Sequence, residues 1–96
     1  MTAHATHTMH ENSTEAFAAL PSAERCRLVL TAYEDRGPLT DKQVCAILGL
    51  AMANVQPRIS DMMHGTDTVA KCLIEDGKTR DQITGRRVRM TRRIAP

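Results

Sequence analysis

A chain of 96 residues with a formal net charge of +2 has room for one small domain, with a core that is adequate rather than generous. One Tyr, one Phe and no Trp require an aliphatic core and leave no set of aromatic rings on which single-stranded nucleic acid could stack. The longest apolar run, residues 45–53, is too short to cross a membrane, and three widely spaced cysteines fit reduced, buried thiols better than a disulfide framework.

Residues 1–13 are polar, rich in Thr and His and without periodicity, which predicts a flexible arm preceding a single domain over 14–96. The N-terminus lacks the apolar core of a secretion signal, so a cytoplasmic location is expected. Ser13 or Thr14 can cap a short helix through Leu20. Pro21 interrupts, and Ser22 can cap a second helical segment. There Ala23, Cys26, Leu30 and Tyr33, with Val29 beside them, form one apolar stripe at three- and four-residue spacing. Gly37-Pro38 is the expected stop.

Leu39-Thr40 reads as a short extended link, and Thr40 or Asp41 as the cap of a helix whose apolar face is Val44, Cys45, Ile47 and Leu48. Gly49 ends it in the left-handed conformation that glycine tolerates. Asn54 is the expected cap of a third helix over 55–64, with Pro57 in the first turn, where its missing N–H would have had no partner. Val55, Ile59 and Met62 or Met63 form its buried stripe, and Gly65 closes it. Residues 66–70 read equally as a helical turn or as the lead into a strand. A strand over 72–79, a loop over 81–85 and a return strand over 86–91 complete the pattern, with Thr84-Gly85 as the turn signal.

The charge is divided unevenly along this pattern. Residues 78–96 hold seven cations (Lys78, Arg80, Arg86, Arg87, Arg89, Arg92 and Arg93) against Asp81 alone, a sum of +6. Residues 1–77 hold six basic and ten acidic residues, a sum of −4. Asymmetry of this kind points one end of the chain at a polyanion. Cationic and apolar residues alternate over Arg87, Val88, Arg89 and Met90, which favours a basic strand over a loose basic tail.

Helix, short extended link, helix, tight turn, helix and basic hairpin is the order of a winged helix-turn-helix. Gly49 in the turn, Leu50 after it, then Val55 and Ile59 resemble the turn and second helix of bacterial winged-helix regulators. Residues 37–49 resemble their short strand and supporting helix. Leu73 to Gly77 and Thr84-Gly85-Arg86-Arg87-Val88 resemble the wing of small winged-helix proteins of tailed phages and prophages. The resemblance covers about residues 37–92 and implies an α+β fold of three to four helices, a short first strand and a C-terminal hairpin wing. It also implies transcriptional control or a role in phage DNA transactions inside a bacterial host cell.

Double-stranded DNA is the partner expected on that basis, with a homodimer or a second protein completing the contact. On the third helix the candidates are Asn54, Gln56, Arg58, Ser60 and His64; Gln56 suits adenine and Arg58 suits guanine. A salt bridge from Arg58 to Asp61 or Asp41 is the competing use of that side chain. Lys42 and Gln43 on the supporting helix are expected near the DNA backbone. Lys78, Arg80, Arg86, Arg87 and Arg89 are expected to neutralise phosphates or enter a minor groove, with Arg92 and Arg93 adding to the field.

The residues also admit a second reading: the same fold as a protein-binding module whose basic hairpin grips an acidic surface of a host complex. No cofactor, metal site or enzymatic activity is expected. His4, His7 and His10 read as an incidental histidine-rich arm, although a third-position histidine behind a free amine can hold Cu(II) or Ni(II). Cys26, Cys45, Cys72 and His64 lack the paired spacing of a zinc site. Cys72 with His64 has no orienting partner for nucleophilic work.

Overall fold

The computed structural model describes residues 15–94; the expected arm over 1–13, its histidines and the cap candidates Ser13 and Thr14 lie outside them. Residues 15–19 are helical (α1), with Phe17 buried. Pro21 leaves that run in an extended conformation, and its carbonyl accepts the Arg25 N–H at 2.9 Å, so Pro21 itself precedes α2, Ser22–Leu30. Ser22 is therefore the first helical residue and not the expected cap; its hydroxyl accepts from Arg25 Nη2 at 3.4 Å.

A 3-10 turn, Thr31–Tyr33, extends α2 and buries Ala32 and Tyr33 beside Cys26 and Val29. The stop comes earlier than Gly37-Pro38. Glu34 turns extended, Asp35 takes φ 57°, and Arg36 donates Nη1 to the Ala32 carbonyl at 3.0 Å, satisfying a group that the helix end leaves open.

β1 (Leu39–Thr40) leads directly into α3 (Asp41–Leu48) through a capping box. Gln43 N–H donates to Thr40 Oγ1 at 3.1 Å, and Thr40 N–H donates to Gln43 Oε1 at 2.9 Å, so two donors at the helix start are satisfied reciprocally. Gly49, at φ 68°, ends α3 as the sequence predicts.

The next helix, α4, spans Met52–His64, three residues more than expected, with Ala51 in the cap position. Asn54 is inside it, donating its N–H to the Ala51 carbonyl at 3.0 Å. The earlier start moves Pro57 from the first turn to an interior position, where its missing N–H removes one bond of the helical ladder. Val55, Ile59 and Met62 are buried as expected and meet Val29, Val44 and Leu73 in an aliphatic core. Each such side chain contributes about 1.5–3 kcal/mol on full burial.

Gly65 (φ 82°) closes α4 and opens a compact loop that is neither helical nor extended. Thr66 Oγ1 accepts the N–H groups of Thr68 (3.3 Å) and Val69 (3.0 Å), and the Cys72 N–H donates to the Met62 carbonyl at 2.8 Å, which aims the chain into β2. β2 (Leu73–Arg80) and β3 (Arg87–Arg93) each sit about one residue later than the sequence suggests. The antiparallel sheet has the order β1-β3-β2, with Leu39 opposite Thr91 and Leu73 opposite Arg93. One hydrogen bond ties its buried face to the helices: Tyr33 Oη and Thr91 Oγ1 lie 2.8 Å apart in the core. The domain is α+β, and none of its described helices is long and apolar enough to cross a membrane.

Candidate functional site

The far half of the β2–β3 hairpin stands away from the core and faces the starts of α3 and α4. Between them lies an open groove of about 810 Å³. Lys42 and Gln43 from α3, Gln56 from α4, and Lys78, Arg80, Arg87 and Arg89 from the hairpin all line it. Seven of the eleven residues expected to meet DNA are thus brought to one surface.

A β-bulge decides which hairpin side chains reach that surface. Glu75 pairs with Thr91 and Lys78 with Arg89, so Asp76 and Gly77 together oppose the single residue Met90. Gly77, at φ 81°, takes the left-handed conformation that the extra residue needs. Regular alternation from the buried Leu73 would have sent Gly77 and Thr79 to the groove face. The bulge puts Lys78 and Arg80 in those alternating positions instead, and Thr79 lines the groove beside them.

The register then sets Lys78 directly opposite Arg89 and Arg80 directly opposite Arg87. Side chains so paired share a face, with Cβ atoms about 5 Å apart, and like charges placed this way oppose pairing. Arg89 is compensated: its Nη2 lies 3.1 Å from Asp41 Oδ2 and its Nε donates to Oδ1 at 3.4 Å. Lys78, Arg80, Arg86 and Arg87 form no salt bridge with a described residue. No family model, curated protein or solved structure matches the chain.

Three acidic residues, Asp41, Glu75 and Asp81, also line the groove. Asp41 is 8% exposed and joins three elements, since Gln56 Nε2 donates to its Oδ2 at 3.1 Å alongside Arg89. Gln56 thus has one amide hydrogen committed and its oxygen free of described partners. Asp81 organises the hairpin loop: its carboxylate accepts from Lys42 Nζ (2.8 Å), Ile83 N–H (3.0 Å) and Thr84 Oγ1 (3.1 Å). Those donors, Lys42 foremost, hold the Asp81 carboxyl below its ordinary value, at about 2.

The remaining candidates lie elsewhere. Arg58 is on the flank of α4 that packs toward α2, where its carbonyl accepts from Cys26 Sγ at 3.9 Å. Its side chain is only 16% exposed and its Nε lies 3.2 Å from Asp61 Oδ2, close enough for an ion pair though out of line for a hydrogen bond. The competing use of Arg58 is the one observed. Asn54 and Ser60 are half-buried on α4 outside the groove, and Arg86 is exposed at the end of the hairpin loop. Gln43 lines the groove while serving the capping box, and Arg92 pairs with Asp76 at 3.0 Å on the opposite face of the hairpin.

The groove also holds Met52, Gln82, Ile83 and Val88, which charge counting does not find. Asp41 could be recognised from the sequence as a helix-start residue, but its bond to Arg89 spans 48 positions and leaves no local signal. The three thiols are free and their pKa values are raised by burial, that of Cys26 further by the Asp61 charge, so they suit packing better than nucleophilic chemistry. Among the described residues, no three His, Cys, Asp or Glu side chains converge to hold a metal ion.

Proposed function

We propose that the chain is a winged helix-turn-helix protein that binds double-stranded DNA, serving transcriptional control or another DNA transaction of the phage or prophage kind. In this reading α3 and α4 are the helix-turn-helix, Gly49 its turn, β1 the short first strand and β2–β3 the wing. The element order and the β1-β3-β2 sheet support it.

The observation that carries the reading is the cationic ladder. Opposed Lys78–Arg89 and Arg80–Arg87 pairs work against strand pairing by roughly 0.2–1 kcal/mol each, and only Arg89 has a carboxylate beside it. Phosphates relieve that repulsion and release counterions as they bind. The wing supplies the affinity, while Gln56 at the groove and Ser60 and His64 farther along α4 are the groups available to base edges. One module of this size covers little DNA, so the protein acts as a homodimer or beside a partner.

One observation favours a protein partner instead. Four α4 positions on the side away from its buried stripe, Ala53, Pro57, Ser60 and His64, include no Lys, Arg, Asp or Glu. A host protein with an acidic surface would then occupy the groove.

The deciding experiment incubates the full chain with sheared genomic DNA near physiological salt and sequences the retained fragments. Enrichment of a few sites supports a sequence-specific regulator, and retention without enrichment that disappears as salt rises supports a non-specific binder. Absence of retention removes the DNA reading and leaves the acidic protein partner.

A further inference from the structure

Ile83 is 84% exposed, the most exposed of the large apolar side chains among the described residues. A single surface isoleucine needs no explanation. This one is held out by a loop whose conformation is fixed on every side. The Asp81 N–H donates to the Arg86 carbonyl and the Gly85 N–H to the Asp81 carbonyl, both at 2.8 Å. Arg80 Nη1 donates to the Gly85 carbonyl at 2.9 Å, and the Arg86 N–H donates to Thr84 Oγ1 at 3.3 Å. The Asp81 carboxylate takes the Ile83 N–H itself and is anchored to α3 by Lys42. The isoleucine is thus presented on a closed, hydrogen-bonded tip.

The tip is also the most cationic part of the hairpin. Arg80 and Arg87 pair across the strands immediately behind it, Arg86 is exposed at its edge, and Ile83 lines the same groove as Arg80 and Arg87. An apolar point flanked by unneutralised arginines suits a surface that is anionic at its rims and apolar within. The minor groove of duplex DNA has that character: phosphates on both walls, about 6 Å apart, and stacked base faces between adjacent steps. Two antiparallel strands are spaced about 4.8 Å apart, so the tip can enter edge-on while its arginines reach the phosphates.

We propose that Ile83 is a wedge, inserted from the minor groove between two base pairs and bending the duplex while Arg80, Arg86 and Arg87 hold the flanking phosphates. The proposal rests on the DNA-binding reading and adds to it a definite change in DNA shape. Flexible pyrimidine–purine steps are the preferred insertion point, because unstacking them costs least.

The test uses the full chain and a mixed-sequence duplex carrying a donor dye at one end and an acceptor at the other. Saturation with the native chain shortens the end-to-end distance, in keeping with a kink of roughly 20–90°. Ile83→Ala, a change at an exposed position, abolishes the shortening, lowers affinity by roughly tenfold or less and leaves the salt slope unchanged, because no phosphate contact is lost. Ile83→Leu restores the bend. The wedge is overturned by a native chain that binds without shortening the duplex, or by an Ile83→Ala variant that bends as well as the native chain; DNA binding survives both results. A native chain that does not bind duplex overturns both readings together.

Discussion

Asp41 and Arg89, 48 positions apart, meet through two hydrogen bonds of 3.1 and 3.4 Å, joining the first residue of α3 to the middle of β3. The carboxylate is nearly buried and also accepts from Gln56, so α3, α4 and β3 share one anion. This contact links α3 to β3 across the groove and compensates the charge of one of its arginines.

Asp41→Asn therefore has opposite effects on folding and binding. Loss of a charged acceptor with two donors lowers stability by roughly 1–3 kcal/mol, measured by urea unfolding followed by far-UV circular dichroism. Release of Arg89 adds one cation to the groove, so the dependence of log affinity on log salt becomes steeper by about one unit on any duplex. Weaker binding with an unchanged slope would mean that Arg89 does not reach phosphate and that Asp41 matters through Gln56.

The helices were legible in the sequence because their determinants are local. Thr40 with Gln43 closes a capping box, Gly49 adopts positive φ, and Val55, Ile59 and Met62 recur at helical spacing. The boundaries moved where a neighbour took over a role: Pro21 displaced Ser22 as the cap, Ala51 displaced Asn54, and Arg36 covered the end of α2 before Gly37-Pro38. The candidate site was legible as an excess of charge but not as a geometry. Which cations share a face depends on the bulge at Asp76 and Gly77, and the use of Arg58 depends on the flank of α4 that meets α2. Strand periodicity counts residues two by two and misses the one extra residue that sends Lys78 and Arg80 to the groove.

Arg87→Glu separates the cost of the ladder from its use. Arg87 lies directly opposite Arg80, is exposed and makes no ion pair with a described residue. A glutamate there converts a like-charge pair into an attractive one and raises stability by about 0.2–1 kcal/mol. The same change weakens binding to all duplexes alike and lowers the salt slope by about one to two units, since a cation is lost and an anion gained. Thermal melts and anisotropy titrations at several salt concentrations give both numbers from one preparation. A variant that melts lower and binds as before would place Arg87 outside the contact and leave the opposed pair without functional meaning.

Asp81 gives the hairpin tip its pH dependence. Its carboxyl is held at about 2, first by Lys42, then by the Ile83 N–H and the Thr84 hydroxyl, all of which favour the ionised form. A pKa lowered by folding means that the stabilisation is complete above the ordinary value of 3.8 and disappears as pH falls through about 2. The tip is accordingly unchanged between neutrality and pH near 4. Carboxyl chemical shifts recorded against pH should place the Asp81 midpoint at about 2 in the native chain and move it upward in Lys42→Ala, which loses the 2.8 Å ion pair while keeping the loop donors. A native midpoint near 3.8 would mean that Lys42 and the loop amides do not hold the carboxylate in solution, and the rigid presentation of Ile83 would lose its anchor.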